Sequence, residues 1–373
     1  MLSVLLVVGL AVAAFVGFNI GGSSTGVAFG PAVGSETLGK TVAAALMTVF
    51  ALLGGWTVGR NVIDTMGGEI VPASQFSLLA SVAILFFIGM ALLISNLFGV
   101  PASTSMTAVG AIAGLGLASN SLAWDVMGRI VSWWLVAPLI AFWVCAVIGR
   151  YLYVYLDAWV GLEEATGLKA ATTRLLVVAI GCYMAFSAGA SNVANAVAPL
   201  VGSGALSIDA GVLLAGGAIG VGAFTIARRT LDTVGTGLTD LPLLAALIVE
   251  LVSASLITFL SQIGIPASLA VSSTMCIVGL GWGRATRTTR LSEAARTMRE
   301  GDEPLAEGAG GVALPAERAG GAADVPAIGD EDPSELTGGD LFDPSATARV
   351  VVLWIATPTI SALASFIVFS TVL

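Results

Sequence analysis

Histidine is absent from all 373 residues. That removes a histidine-held zinc or haem, a serine–histidine nucleophile and a histidine proton relay. Cysteine is scarce too. Cys145, Cys182 and Cys276 each lie inside an apolar stretch, too few and too scattered for a metal cluster or disulfide framework. They read as small buried side chains. Charge is the third shortage: 10% of the chain is charged, against about a quarter in a soluble domain. No Walker motif is present, so the chain carries no ATP site of that kind. Enzymatic chemistry has little to stand on, no cofactor is implied, and nothing in the charge suits a nucleic acid.

What remains is apolar. Hydrophobic residues make up 57% of the chain and the mean hydropathy is +0.97. Several runs approach or exceed the roughly 20 residues a helix needs to cross a bilayer. Spans are expected over Leu2–Phe18, Val42–Val62, Phe76–Phe98, Ile130–Ile148, Thr173–Ala188, Ala210–Ile226, Leu241–Leu260 and Val350–Val372. The first run lacks a basic leader and carries part of a repeat, so it reads as a span rather than a signal peptide. The chain is a multi-pass protein of the cell membrane.

The net charge of −9 is uneven. Residues 300–343 hold twelve acids and one arginine, or −11, so the remainder carries +2. Gly, Ala and Pro fill the spaces between those acids, the composition of a solvated, disordered linker. Arg284, Arg287, Arg290, Arg296 and Arg299 precede it. Basic residues beside a span mark the cytoplasmic side, as a patch for lipid headgroups also would. The linker is then cytoplasmic and the C-terminus outside.

The chain also repeats itself. Gly17-Phe18-Asn19 recurs in Gly189-Ala190-Ser191-Asn192, and Arg60…Asp64-Thr65…Gly67 in Arg228…Asp232-Thr233…Gly235. Ser103-Thr104-Ser105 recurs in Ser272-Ser273-Thr274, and Trp134…Pro138 in Trp354…Pro358. The organisation that follows is a first repeat over 1–156, a connector over 157–169, and a second repeat over 170–283. An Arg-rich then acidic linker over 284–345 interrupts that second repeat before its last span, 346–373. The fold class is an all-α polytopic membrane protein of two duplicated halves, expected to be inverted, with broken helices and hairpin-like Ser/Thr segments.

Two elements carry the chemistry. In the first, Asn19 and Ser23 with glycines around them, and Ser191, Asn192 and Asn195 ahead of Pro199, interrupt hydrophobic runs. Glycine lets a backbone leave helical geometry. Unwound carbonyls and amide oxygens would suit Na⁺, so a bound Na⁺ is allowed here; close packing of helices through small residues is the alternative. In the second, a proline precedes the hydroxyl groups of Ser103, Thr104 and Ser105, and of Ser272, Ser273 and Thr274. A helix starting there would aim free amides and hydroxyls at an oxyanion. Glu250, in mid-span, is a candidate coupling carboxylate. Each arginine of the Arg60/Asp64 and Arg228/Asp232 clusters is spaced for an i, i+4 surface ion pair.

These motifs resemble the duplicated signatures of the inorganic phosphate transporter (PiT) family, which includes sulfate permeases. The family reads close to G-A-N-D-V-A-N-A and P-V-S-T-T-H-A-I-V-G. Gly189–Ala196 reads G-A-S-N-V-A-N-A, Pro101–Gly110 reads P-A-S-T-S-M-T-A-V-G, and Ser272–Gly279 reads S-S-T-M-C-I-V-G. The family's aspartates are Ile20 and Asn192 here, and its histidine is Met106 and Met275. The resemblance implies a secondary transporter moving inorganic phosphate, or sulfate, with Na⁺ or H⁺ as coupling ion. A passive anion channel and a non-transporting membrane sensor stay open, and an assembly of like chains is allowed.

Overall fold

The computed structural model describes residues 3–97, 103–160, 167–227, 242–288 and 344–372. The acidic linker, the Arg228/Asp232 cluster, Pro101, and Arg290, Arg296 and Arg299 lie outside the described residues. Among the described residues all regular structure is helical. The first half consists of α1 (Val4–Gly34), α2 (Lys40–Thr57), the short α3 (Gly59–Asp64), α4 (Leu78–Leu97), α5 (Thr104–Ala118) and α6 (Trp124–Val147). A π turn, Ile148–Leu152, carries α6 into α7 (Tyr153–Val160). The second half consists of α8 (Leu168–Gly202), α9 (Ile208–Thr225), α10 (Leu243–Gln262), α11 (Leu269–Ala285) and α12 (Pro344–Val372).

Among the described residues, six stretches are long and apolar enough to cross a membrane: Val4–Gly34, Lys40–Thr57, Trp124–Ala158, Ala170–Gly202, Ile208–Thr225 and Leu243–Gln262. They coincide with six of the eight expected spans. The other two expectations, Phe76–Phe98 and Val350–Val372, fall on the helices α4 and α12, of 20 and 29 residues. Many large hydrophobic side chains lie exposed on the outward surface. On α6, Leu135, Leu139 and Trp143 form an i, i+4, i+8 stripe, each more than half exposed, a face that suits lipid rather than water.

Contacts between the halves are reciprocal. Helix α2 packs on α8 and α1 on α9; α5 packs on α12 and α11 on α6. Glycines make the approaches. A Cβ at Gly54 would fall on the carbonyl of Phe186, and one at Gly222 on the carbonyl of Phe18. Likewise Gly21 abuts the Ile219 carbonyl and Gly189 the Ala51 carbonyl. Each pair is related to the other by the separation of Arg60 from Arg228. At the far end, Gly114 abuts the Ala362 carbonyl and Gly279 the Phe142 carbonyl. Small residues are how membrane helices bring backbones together where the hydrophobic effect offers no drive.

This packing corrects one expectation. The first helix of each half is not broken: α1 runs unbroken through Asn19–Gly26 and α8 through Ser191–Pro199. The glycines there abut carbonyls of α9 and α2 instead of unwinding. The hydroxyls bond back along their own helices, Ser23 Oγ to the Ile20 carbonyl at 3.1 Å and Thr25 Oγ1 to that of Gly21 at 2.7 Å. A second correction concerns Arg60. It donates to Asp209 on α9 and lies over the Trp56 ring, rather than pairing with Asp64.

A candidate anion and cation site at the meeting of the two halves

Proline opens α8 without breaking it. Pro199 has no N–H to give the carbonyl of Asn195, one turn earlier, so that oxygen loses its helical partner. Pro31 stands in the same relation to Val27 in α1. The Asn195 side chain is fully buried. Its amide nitrogen donates to Ser105 Oγ of α5 and to Asn192 Oδ1, both at 3.1 Å. Its own Oδ1 accepts nothing, and buried Ser191 Oγ nearby on the same helix has no partner either. A buried polar atom without a partner costs about 1–3 kcal/mol. These two neutral oxygens, one turn apart on α8, and the carbonyl freed by Pro199 are of the chemical type that a small hard cation takes.

The polar face continues through α10 and α11. Ser187 Oγ of α8 donates to the Ala254 carbonyl at 3.1 Å. Ser253 Oγ of α10 donates to the Val249 carbonyl at 2.6 Å and lies 3.2 Å from Ser273 Oγ of α11. Glu250, 5% exposed, sits on α10 one turn before Ser253, and its Oε1 has no hydrogen-bond partner. Ser105, Asn192 and Asn195 thus bond to one another across α5 and α8, and Ser187, Ser253 and Ser273 tie α8 to α10 and α10 to α11; with Glu250 they are the polar seam of these four helices. The Asn19 amide donates along α1 to the Phe15 carbonyl at 2.9 Å.

Both Ser/Thr segments begin helices, but the second begins a turn earlier than its hydroxyl triad. Ser103 caps α5, accepting from the Met106 N–H at 3.3 Å; Ser268 caps α11, accepting from the Val271 N–H at 3.3 Å. The counterpart of Ser103 is therefore Ser268, not Ser272. The glycine contacts agree, since matching Gly114 with Gly279 also matches Ser103 with Ser268. The repeated tripeptide Pro-Ala-Ser, at 101–103 and 266–268, was the available signal. Ser272 is buried inside the helix, and Thr274 spends its hydroxyl on the Ala270 carbonyl at 2.9 Å. The same logic shifts the first element. With Gly21 matched to Gly189, Asn19 faces Ser187 as counterpart, and Ser23 faces Ser191.

The two helix starts meet through Met106 and Val271, which pack together with Trp134 and Met275. Beside them lies a shallow, half-open recess lined by Met106, Trp134, Pro138, Ser268, Val271 and Ser272. The Trp134 indole N–H donates to the Pro266 carbonyl at 2.8 Å and holds the approach to α11 in place. Two N-termini, each with a hydroxyl cap, converge on that spot, an arrangement that favours negative charge without a fixed countercharge.

Comparison with known proteins bears on this site. Residues 20–365 match the model of the phosphate transporter family. A sulfate permease, CysP, of Bacillus subtilis is 30% identical over 76% of this chain and 79% of its own length. A protein of Haemophilus influenzae named as a putative phosphate permease is 23% identical over 74% of this chain and 88% of its own. The solved structure of a sodium-dependent phosphate transporter superposes over 100% of both chains with a TM-score of 0.69 at 18% identity, which establishes the shared fold. On these grounds the chain belongs to the phosphate transporter family.

Proposed function

We propose that the protein is a secondary transporter that carries inorganic phosphate across the cell membrane by alternating access. The observation that carries this reading is the contact of Met106 with Val271, which joins the helix starts capped by Ser103 and Ser268, in a protein whose buried seam also holds unpartnered oxygens. In this reading the amides at the starts of α5 and α11, with Ser103, Thr104, Ser105 and Ser268, receive the anion. Na⁺ is taken by Asn195 Oδ1, the freed Asn195 carbonyl and Ser191 Oγ. These oxygens are neutral, so the missing family aspartates make the cation bind more weakly rather than not at all. Glu250 is the group that would let H⁺ replace or accompany Na⁺. The reciprocal packing, with five principal helices on each side among the described residues, supports two duplicated halves of inverted topology, the arrangement in which rocking of one bundle against another exposes a fixed site alternately.

Sulfate is the second reading, favoured by the identity to a sulfate permease. Both ions are tetrahedral oxyanions and the helix starts do not distinguish them by charge sign. Uptake of labelled phosphate and of labelled sulfate into proteoliposomes, with Na⁺ and proton gradients imposed separately, tests the proposal. Phosphate accumulation driven by either gradient is the expected result. Gradient-independent equilibration would make the protein a passive channel. Saturable binding without flux would make it a sensor.

A further inference from the structure

Two of the three cysteines, 131 positions apart in sequence, meet in the fold. Cys145 lies on α6 in the first half and Cys276 on α11 in the second. Both are 0% exposed, and both pack in one apolar cluster with Ala141, Ile248, Val249 and Leu280. Their thiols lie within hydrogen-bonding reach of one another. Cys182, on α8, belongs to the larger core instead.

Backbone packing explains why they meet. Gly279 abuts the Phe142 carbonyl and Gly283 that of Ala146, so α6 and α11 run side by side in the same direction. From the other helix, a Cβ at Gly149 would meet the Leu280 carbonyl at 2.5 Å. Cys145 stands four residues before Gly149, and Cys276 four before Leu280. One helical turn therefore separates that contact from the thiols, which share its register. A disulfide needs Cα atoms about 4.4–6.8 Å apart, and helices whose backbones touch at three glycines come that near.

We propose that Cys145 and Cys276 are a site of oxidative modification, at which hydrogen peroxide converts the two thiols into a disulfide that staples the halves together. A bond forms between the two Sγ atoms as both S–H bonds break. The thiols give up two electrons and two protons; the peroxide takes them, its O–O bond breaks, and two molecules of water leave. Buried thiols react slowly, so the oxidant must be small and neutral enough to enter an apolar interface, as hydrogen peroxide is. Closing so long a loop removes freedom chiefly from the unfolded chain, the case in which a disulfide stabilises most. The staple would add to the hold that Trp134 of α6 already has on Pro266, at the approach to α11. Nothing in this chemistry depends on which anion is carried.

The test treats the full-length protein in proteoliposomes with hydrogen peroxide, denatures it, alkylates with N-ethylmaleimide and counts labels by intact mass. Three labels before oxidation should fall to one, and dithiothreitol added before alkylation should restore all three. Cys276→Ser should keep both its labels, and Cys182→Ser should go from two to none. Peptide mapping without reductant should recover Cys145 joined to Cys276. Oxidised protein should melt several degrees above reduced protein, measured against Cys276→Ser treated alike, which carries the same methionine oxidation. Cys145→Ala gives the same reading should Cys276→Ser fold poorly. Three labels retained after oxidation, labels lost beyond recovery by reductant, or a cross-link through Cys182 or between two chains each overturn the proposal. So does a melting temperature that the bond leaves unmoved or lowers, because a staple between the halves must stabilise them.

Discussion

Gly189→Ala separates two uses of glycine in this protein. A Cβ there meets the oxygen, carbon and Cα of Ala51, all main chain, so no side chain can swing aside. Helices α8 and α2 must part. Overpacking of this kind costs about 1–3 kcal/mol, and the rigid partner places the cost at the upper end. Replacing a helical glycine by alanine returns roughly 1 kcal/mol, leaving a net loss of about 1–2 kcal/mol. Gly217→Ala is the control: it lies in α9 with nothing within 4 Å of the new methyl group, so it should be neutral or stabilising. In thermal unfolding of the detergent-solubilised protein, Gly189→Ala should melt roughly 1–3 °C below the parent, and Gly21→Ala, its counterpart against Ile219, by a similar amount. If Gly189→Ala melts with Gly217→Ala while uptake is lost, the glycine serves backbone unwinding during transport and the packing argument is wrong.

Asn195→Ala removes the donor to Ser105 and Asn192; a drop of about 1–3 kcal/mol in unfolding free energy should accompany loss of Na⁺ stimulation, and an unchanged Na⁺ dependence in uptake assays would exclude Asn195 from the cation site. Glu250→Gln should abolish uptake driven by a proton gradient and leave Na⁺-driven uptake standing; intact proton-driven uptake would remove Glu250 from coupling. Ser268→Ala should cost about 1 kcal/mol as a lost helix cap and raise the KM for phosphate several-fold, whereas Thr274→Ala, whose hydroxyl already serves the Ala270 carbonyl, should leave KM unchanged. The reverse order would restore the hydroxyl triad as the anion's partner. Trp134→Phe keeps the ring and loses the hydrogen bond to Pro266, so its effect should fall on KM more than on expression or melting.

Composition made the membrane helices legible because twenty apolar residues in a row have few other uses. Six of the eight spans read from hydropathy coincide with helices long and apolar enough to cross, and the other two fall on α4 and α12. The duplicated motifs fall on helices too, the first pair on α1 and α8 and the Ser/Thr pair on α5 and α11. What could not be read was register and backbone state. A glycine that unwinds a helix and one that lets another helix touch it look alike in sequence, because the deciding atom belongs to a distant segment. For Gly21 that atom is the carbonyl of Ile219, and for Gly189 the carbonyl of Ala51. The hydroxyl triads misled for a related reason. Ser272-Ser273-Thr274 resembles Ser103-Thr104-Ser105 in composition, but helix starts are set by proline and cap, and those lie at Pro266 and Ser268. Ser187 and Ser253 carried no signal beyond being small and polar, and only packing brings them to the seam.

The exchange of partners between the ends of the two halves governs how the protein can be made. Helix α5 is completed by α12, whose Ser361 and Ser365 donate to the carbonyls of Thr107 and Ala111 at 3.0 and 2.6 Å, 254 positions away in sequence. Until the last 29-residue helix has been synthesised and inserted, the backbone of α5 at Gly110 and Gly114 has nothing to close against. Contacts so remote along the chain form late. Neither half can therefore mature alone at the ribosome, and a chain stopped short of residue 344 would leave the insertion machinery with an open groove beside α5. The C-terminal helix acts as the closing stave of a barrel: laid last, it decides whether the earlier pieces hold.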